Sequence, residues 1–157
     1  MNDIEKTKSK RGGAGVHEKF EEPSLIVDVD SILETAKEKG YYSGYTLKIE
    51  DLIRSFDDVL LEFVEMDGGL SGSLCNQDGK WIMRINSKHH INRQRFTMAH
   101  ELGHYIMHKE KNASFEDTTF FRGTEPSAIE YSANEFASSL LMPAQEIKTL
   151  IIEGVRE

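Results

Sequence analysis

The 157-residue sequence has a single cysteine, Cys75. One thiol cannot close an intramolecular disulfide, and a zinc knuckle built from several thiolates is excluded with it. No apolar run approaches the roughly 18 residues that a membrane helix needs, and the N-terminus has no hydrophobic signal core. Positive charge is also scarce: 19 basic side chains stand against 27 acidic ones, a formal net charge of −8. A broad electrostatic grip on nucleic acid or on an anionic membrane is not expected from that balance. These absences predict a cytoplasmic protein with no membrane attachment and no direct nucleic-acid binding.

The length suits one domain with a real hydrophobic core. Residues 1–22 read as a polar tail, because Lys6-Thr7-Lys8-Ser9-Lys10-Arg11 and Gly12-Gly13-Ala14-Gly15 have no periodicity and little to bury. The domain itself is expected over residues 23–157. Ser31-Ile32-Leu33-Glu34 predicts a capping box opening a helix that ends near Gly40, and Leu47 to Phe56 predicts a second helix. Val59 to Met66, Leu70 to Asn76 and Lys80 to Asn86 read as three short strands. Asp67-Gly68-Gly69 and Asp78-Gly79 supply the turns between them, which predicts an antiparallel meander. A sheet this small needs helices to cover it, so the fold class is α+β.

From about Asn92 to Lys109 the pattern is helical, and it is apolar on two sides, as for a central helix. Gly103 within it costs up to about 1 kcal/mol of helix propensity, which predicts a close approach by another backbone, such as a sheet edge. Glu110 to Glu125 reads as a polar loop. Pro126 is placed to start a further helix, on which Glu130, Ala133, Asn134, Ala137 and Leu141 share a face. Ala144 to Ile152 reads as a short last helix.

The central helix carries His100-Glu101-Leu102-Gly103-His104. Residues four apart on a helix lie nearly one above the other, so His100 and His104 can grip one metal ion. Glu101 sits beside that face, placed to act as general base toward a metal-activated water. A catalytic zinc takes three protein ligands and keeps one position open. In the metzincin pattern the third ligand is a histidine six residues after the second, preceded by a glycine; this chain has Met107 and Glu110 at those places, which excludes that class. A carboxylate from a later helix is the remaining common solution. Glu130 is preferred over Glu135, because it shares the face of small alanines that lets two helices meet. One zinc per chain is expected, although iron or manganese can occupy similar ligands. For a second group to hold the developing oxyanion, Tyr105, His108, His89, His90 and Tyr131 are all available. His89-His90 reads as a pair at the start of the helix or on the surface, and His108 as exposed.

Arg95-Phe96-Thr97-Met98-Ala99-His100-Glu101-Leu102-Gly103-His104 and Glu130-Tyr131-Ser132-Ala133-Asn134-Glu135-Phe136-Ala137-Ser138-Ser139-Leu140-Leu141-Met142-Pro143 together resemble the ImmA/IrrE family of metallopeptidases. The second segment is the more telling, since its Ala-Asn-x-Phe-Ala and Leu-Leu-Met-Pro pieces do not follow from zinc chemistry. The resemblance implies a gluzincin-like, zincin-type fold of a small sheet, an active-site helix and a carboxylate-bearing helix. It implies His100, His104 and Glu130 as zinc ligands and Glu101 as catalytic base. It further implies an endopeptidase that cleaves a helix-turn-helix transcriptional repressor, relieving repression of a mobile element or a stress response. Many members continue beyond Leu-Leu-Met-Pro with further helices or a sensor domain, whereas this sequence ends at Glu157. Two other readings share the same residues: a repressor-binding module that keeps the fold without turnover, and a toxin-type protease of a mobile element.

Overall fold

A computed structural model describes residues 28–118 and 127–142. The predicted tail, the predicted last helix, Pro126 and part of the polar loop lie outside the described residues. Helix α1 spans Val29–Glu38. It starts before the predicted capping box, because the Asp28 side chain accepts the Ser31 backbone N–H at 3.2 Å and so supplies the cap itself. Strands β1 (Tyr42–Ser43) and β2 (Thr46–Leu47) form a small hairpin around Gly44, whose φ is 61°. Leu47, expected to begin the second helix, therefore belongs to this hairpin, and α2 is shorter than predicted, Ile49–Arg54.

Strands β3 (Val59–Val64), β4 (Leu70–Gln77), β5 (Lys80–Asn86) and β6 (Ser114–Thr118) form one sheet in the order β3-β5-β4-β6. The α+β class holds, but the three-stranded antiparallel meander is corrected to a four-stranded mixed sheet. The hairpin at Asp78-Gly79 joins β4 to β5 as predicted, with Asp78 at φ 53° and Gly79 at φ 86°. The turn at Asp67–Gly69 does not make a hairpin. The chain passes over the end of β5 there, so that β3 pairs with β5 in parallel. Asn86, fully buried at the end of β5, holds this crossing. Its Nδ2 donates to Leu70 O at 2.7 Å and to Met66 O and Asp67 O at 3.4 Å, and its Oδ1 accepts the Lys88 N–H at 3.0 Å. Burial of such an amide is costly unless it is satisfied in this way.

The register sets Leu61, Met83, Leu74 and Phe115 side by side in one row across the four strands, all buried on the same sheet face. Helix α3 (Ile91–His108) lies on that face, against β4 and β5. It is buried continuously from Thr97 to Tyr105, as expected of a central helix. Gly72 of β4 makes the approach possible, since a Cβ there would lie 2.7 Å from Thr97 Cγ2 and 2.8 Å from Arg84 O. His90 caps the helix by accepting the Asn92 N–H on Nδ1 at 3.1 Å. Helix α4 (Ala128–Leu141) packs along α3 and buries Ala133, Phe136, Ala137 and Leu140. Ser127 Oγ accepts the Glu130 N–H at 3.3 Å and caps it.

The close neighbour of Gly103 is helix α4, not a sheet edge. A Cβ on Gly103 would come within 2.9 Å of Phe136 Cδ1. No helix among the described residues is long and apolar enough to cross a membrane.

Candidate metal centre

The meeting of α3 with α4 brings three predicted residues together. His100 Nε2 lies 3.1 Å from Glu130 Oε2, His104 Nε2 lies 3.2 Å from Glu130 Oε1, and the two Nε2 atoms are 3.1 Å apart. Two imidazole nitrogens and a carboxylate thus offer ligand atoms that all lie within 4.8 Å of one another. The spacing can be tested against the ion that the chemistry suggests. Zinc binds imidazole nitrogen at about 2.0–2.1 Å, and a tetrahedron of that radius has edges of about 3.3 Å. The two Nε2 atoms stand within a few tenths of an ångström of that edge, and so does the Glu130 oxygen nearest each of them, although the two histidines face different oxygens; the donor types and their closeness fit the ion. A donor set of two nitrogens and one oxygen, without thiolate, also suits it.

Electrostatics point the same way. Burial alone would push the Glu130 carboxyl up, but the hydrogen bonds and charges of His100 and His104 outweigh it and hold it at about 2. Glu130 is therefore ionised at neutral pH, and its place in the first turn of α4 favours that charge further. Glu135 is exposed on another side of α4, as helical geometry predicted.

Each histidine is oriented through its other ring nitrogen. His100 Nδ1 is 2.8 Å from Asn134 Oδ1; an N–H donated there leaves Nε2 with its lone pair toward the site. Asn134 shares its helix face with Glu130 in the sequence pattern, which by itself assigns it no task. The i, i+4 spacing of Glu130 and Asn134, one facing the site and the other the back of a histidine, is the signal that was available. His104 Nδ1 is 3.0 Å from His108 Nδ1. His108, expected to be exposed, is buried against Phe115 of β6, and the same Phe115 ring stacks on His104 at a centroid distance of 4.3 Å. Burial first, and then the neighbouring His104 ring, lower the His108 pKa to about 4, so it is neutral at neutral pH. A contact with a strand beyond the helix cannot be read from helical periodicity.

Glu101 is completely buried, next to His100 in the same helix. The five candidates for a second electrophile separate. Tyr105 is turned away: its hydroxyl donates to Asp58 and its ring packs edge-on against Phe56 and Trp81. His90 is spent on the cap of α3, and His89 lies near Gly68 O and Asn86 at 3.4 Å. His108 stands behind His104. Tyr131, next to Glu130, is 59% exposed.

A helix bearing His-Glu-x-x-His, completed by a carboxylate from the helix packed beside it, defines a protein of the metallopeptidase type. Residues 57–156 match the family model Peptidase_M78, the IrrE N-terminal-like domain, over more than half of the chain. The chain belongs to this family, in agreement with the resemblance read from its two motifs. No curated protein sequence gives a significant match.

Proposed function

We propose that the protein is a zinc-dependent endopeptidase acting on a helix-turn-helix transcriptional repressor. The observation that carries the catalytic part is the gathering of the two histidine Nε2 atoms and the Glu130 carboxylate, one oxygen near each histidine, into a group whose ligand atoms lie within 4.8 Å of one another. Family membership supports peptide-bond hydrolysis; the repressor as substrate is supported by the resemblance of the two motifs.

In this reading His100, His104 and Glu130 hold the ion, and Asn134 keeps His100 in the tautomer that leaves Nε2 free to bind. Zinc, when bound, supplies a Lewis acid that makes water acidic near neutral pH. Glu101 takes the proton from the attacking water and passes it to the leaving amine, so one carboxylate serves both as base and as acid.

Glu101→Gln tests the proposal against the binding-module reading. The variant is expected to keep zinc and to bind the repressor but to lose cleavage. Full cleavage by Glu101→Gln would refute the catalytic assignment, and full regulatory activity without cleavage would favour a module that works by binding. If a helix-turn-helix protein is encoded beside this one, it is the first substrate to mix with it, and an intact repressor after incubation with the zinc-loaded protein would refute the substrate assignment.

A further inference from the structure

The pairing of His104 with His108 assigns a task to a residue that hydrolysis does not require. Two Nδ1 atoms at 3.0 Å can form a hydrogen bond only if one carries the proton and the other does not. His104 needs its Nε2 lone pair for the ion, so in its neutral form the proton sits on Nδ1. His108 must then accept on a bare Nδ1 and carry its own proton on Nε2. We propose that His108 is a positioning residue for the metal centre: a hydrogen-bond acceptor that fixes the tautomer and rotation of His104, with the Phe115 ring clamping the His104 face. This inference rests on the metal-site reading above.

The geometry makes the assignment specific. His108 lies one turn beyond His104 on α3 and is itself buried. The ring of Phe115 touches both imidazoles, stacked on His104 at 13° and tilted against His108 at 43°. The two contacts leave His104 little freedom to turn about its Cβ–Cγ bond. A carboxylate often accepts from the far nitrogen of a metal-binding histidine, and its charge makes the ligand more basic. Here the far nitrogens of the two histidines meet groups that lack a carboxylate's negative charge, Asn134 and His108. The ion would therefore keep a residual positive charge that a carboxylate at either place would cancel. The expected result is an ion held less tightly but with greater power to acidify water.

Zinc affinity separates this role from simple packing when it is measured by competition with a chromophoric chelator. In His108→Asn the Oδ1 hangs from Cγ at the place of the histidine Nδ1, so an acceptor is kept. His108→Leu has nearly the same size and no acceptor. The leucine variant is expected to bind zinc roughly 10–100-fold more weakly, and the asparagine variant to recover most of that loss. His108→Asp is expected to bind zinc more tightly than His108→Asn, because it adds the missing charge. Equal affinities for the asparagine and leucine variants would overturn the proposal. The tautomers can be read in the unsubstituted, zinc-loaded protein by nitrogen-15 NMR, which does not depend on any variant folding. His104 protonated on Nδ1 and His108 protonated on Nε2 support the assignment; a proton on His108 Nδ1 overturns it. Failure of the unsubstituted protein to bind zinc at all would instead remove the metal-site reading itself.

Discussion

Gly103 and Phe136 set the distance between the two helices that carry the site: a Cβ added to Gly103 would lie 2.9 Å from Phe136 Cδ1 and 3.3 Å from its Cβ. Alanine at this position gains helix propensity of up to about 1 kcal/mol. It also forces α4 outward, and overpacking of this kind costs about 1–3 kcal/mol. Gly103→Ala is therefore expected to destabilise the fold modestly in denaturant titration. Zinc affinity should fall by a larger factor than stability alone explains, since Glu130 rides on the displaced helix.

Glu130 and Glu135 give opposite outcomes. Zinc content per chain should drop to near zero after dialysis of Glu130→Ala, while Glu135→Ala should keep the metal. Metal analysis of the purified proteins checks both. The reverse pattern would show the third ligand to be wrongly assigned.

In the proposed site Asn134 would act through His100. Asn134→Leu removes the acceptor 2.8 Å from His100 Nδ1 and should weaken zinc binding roughly 10–100-fold. Asn134→Asp keeps an acceptor at the same place, adds charge, and should bind zinc at least as tightly as the unsubstituted protein. Chelator competition at fixed pH distinguishes the three.

Tyr105 predicts a dependence on alkaline pH. Burial, then its hydrogen bond to Asp58 and the charge of that carboxylate, raise its pKa above the ordinary 10.0. In the unfolded chain the phenol ionises near its ordinary value, while in the folded protein it stays protonated. The unfolded state therefore binds fewer protons above pH about 10, and folding stability falls as pH rises, by at most about 1.4 kcal/mol per unit. The sign follows from the neutral form being the one the fold prefers. Tyr105→Phe should be less stable at neutral pH through loss of the Asp58 bond, and its stability should fall less steeply above pH 10. Denaturant unfolding across that range is the measurement.

The site was more legible in the sequence than the sheet was. His100, His104 and Glu130 follow from one spacing rule and one shared helix face, both local properties of an α-helix. The hairpin at Asp78-Gly79 follows from turn chemistry and is present. Asp67-Gly68-Gly69 has similar turn residues but serves a crossing, because the buried amide of Asn86 ties it to the end of β5. Nothing near residue 67 signals a partner so far along the chain. Strand β6 falls in the stretch whose composition predicts a polar loop, for a related reason. Ser114 to Thr118 contains one apolar residue, Phe115, and gains its strand form from hydrogen bonding to β4 rather than from its own pattern. The same strand hid the burial of His108.

Tyr105 has a mechanical consequence for the metal centre. It follows His104 directly, so the two side chains leave α3 about 100° apart. Its hydroxyl is tethered to Asp58, the residue just before β3, and its ring is wedged between Phe56 and Trp81. A helix held in this way cannot roll about its own axis without dragging the sheet with it. His100 and His104 are thus the fixed jaw of a calliper, and α4, joined to α3 by side-chain packing, is the sliding one. In the proposed metal site, ions of different radius would be accommodated by movement of Glu130, and discrimination between them would depend on how stiffly Phe136 seats α4 against Gly103.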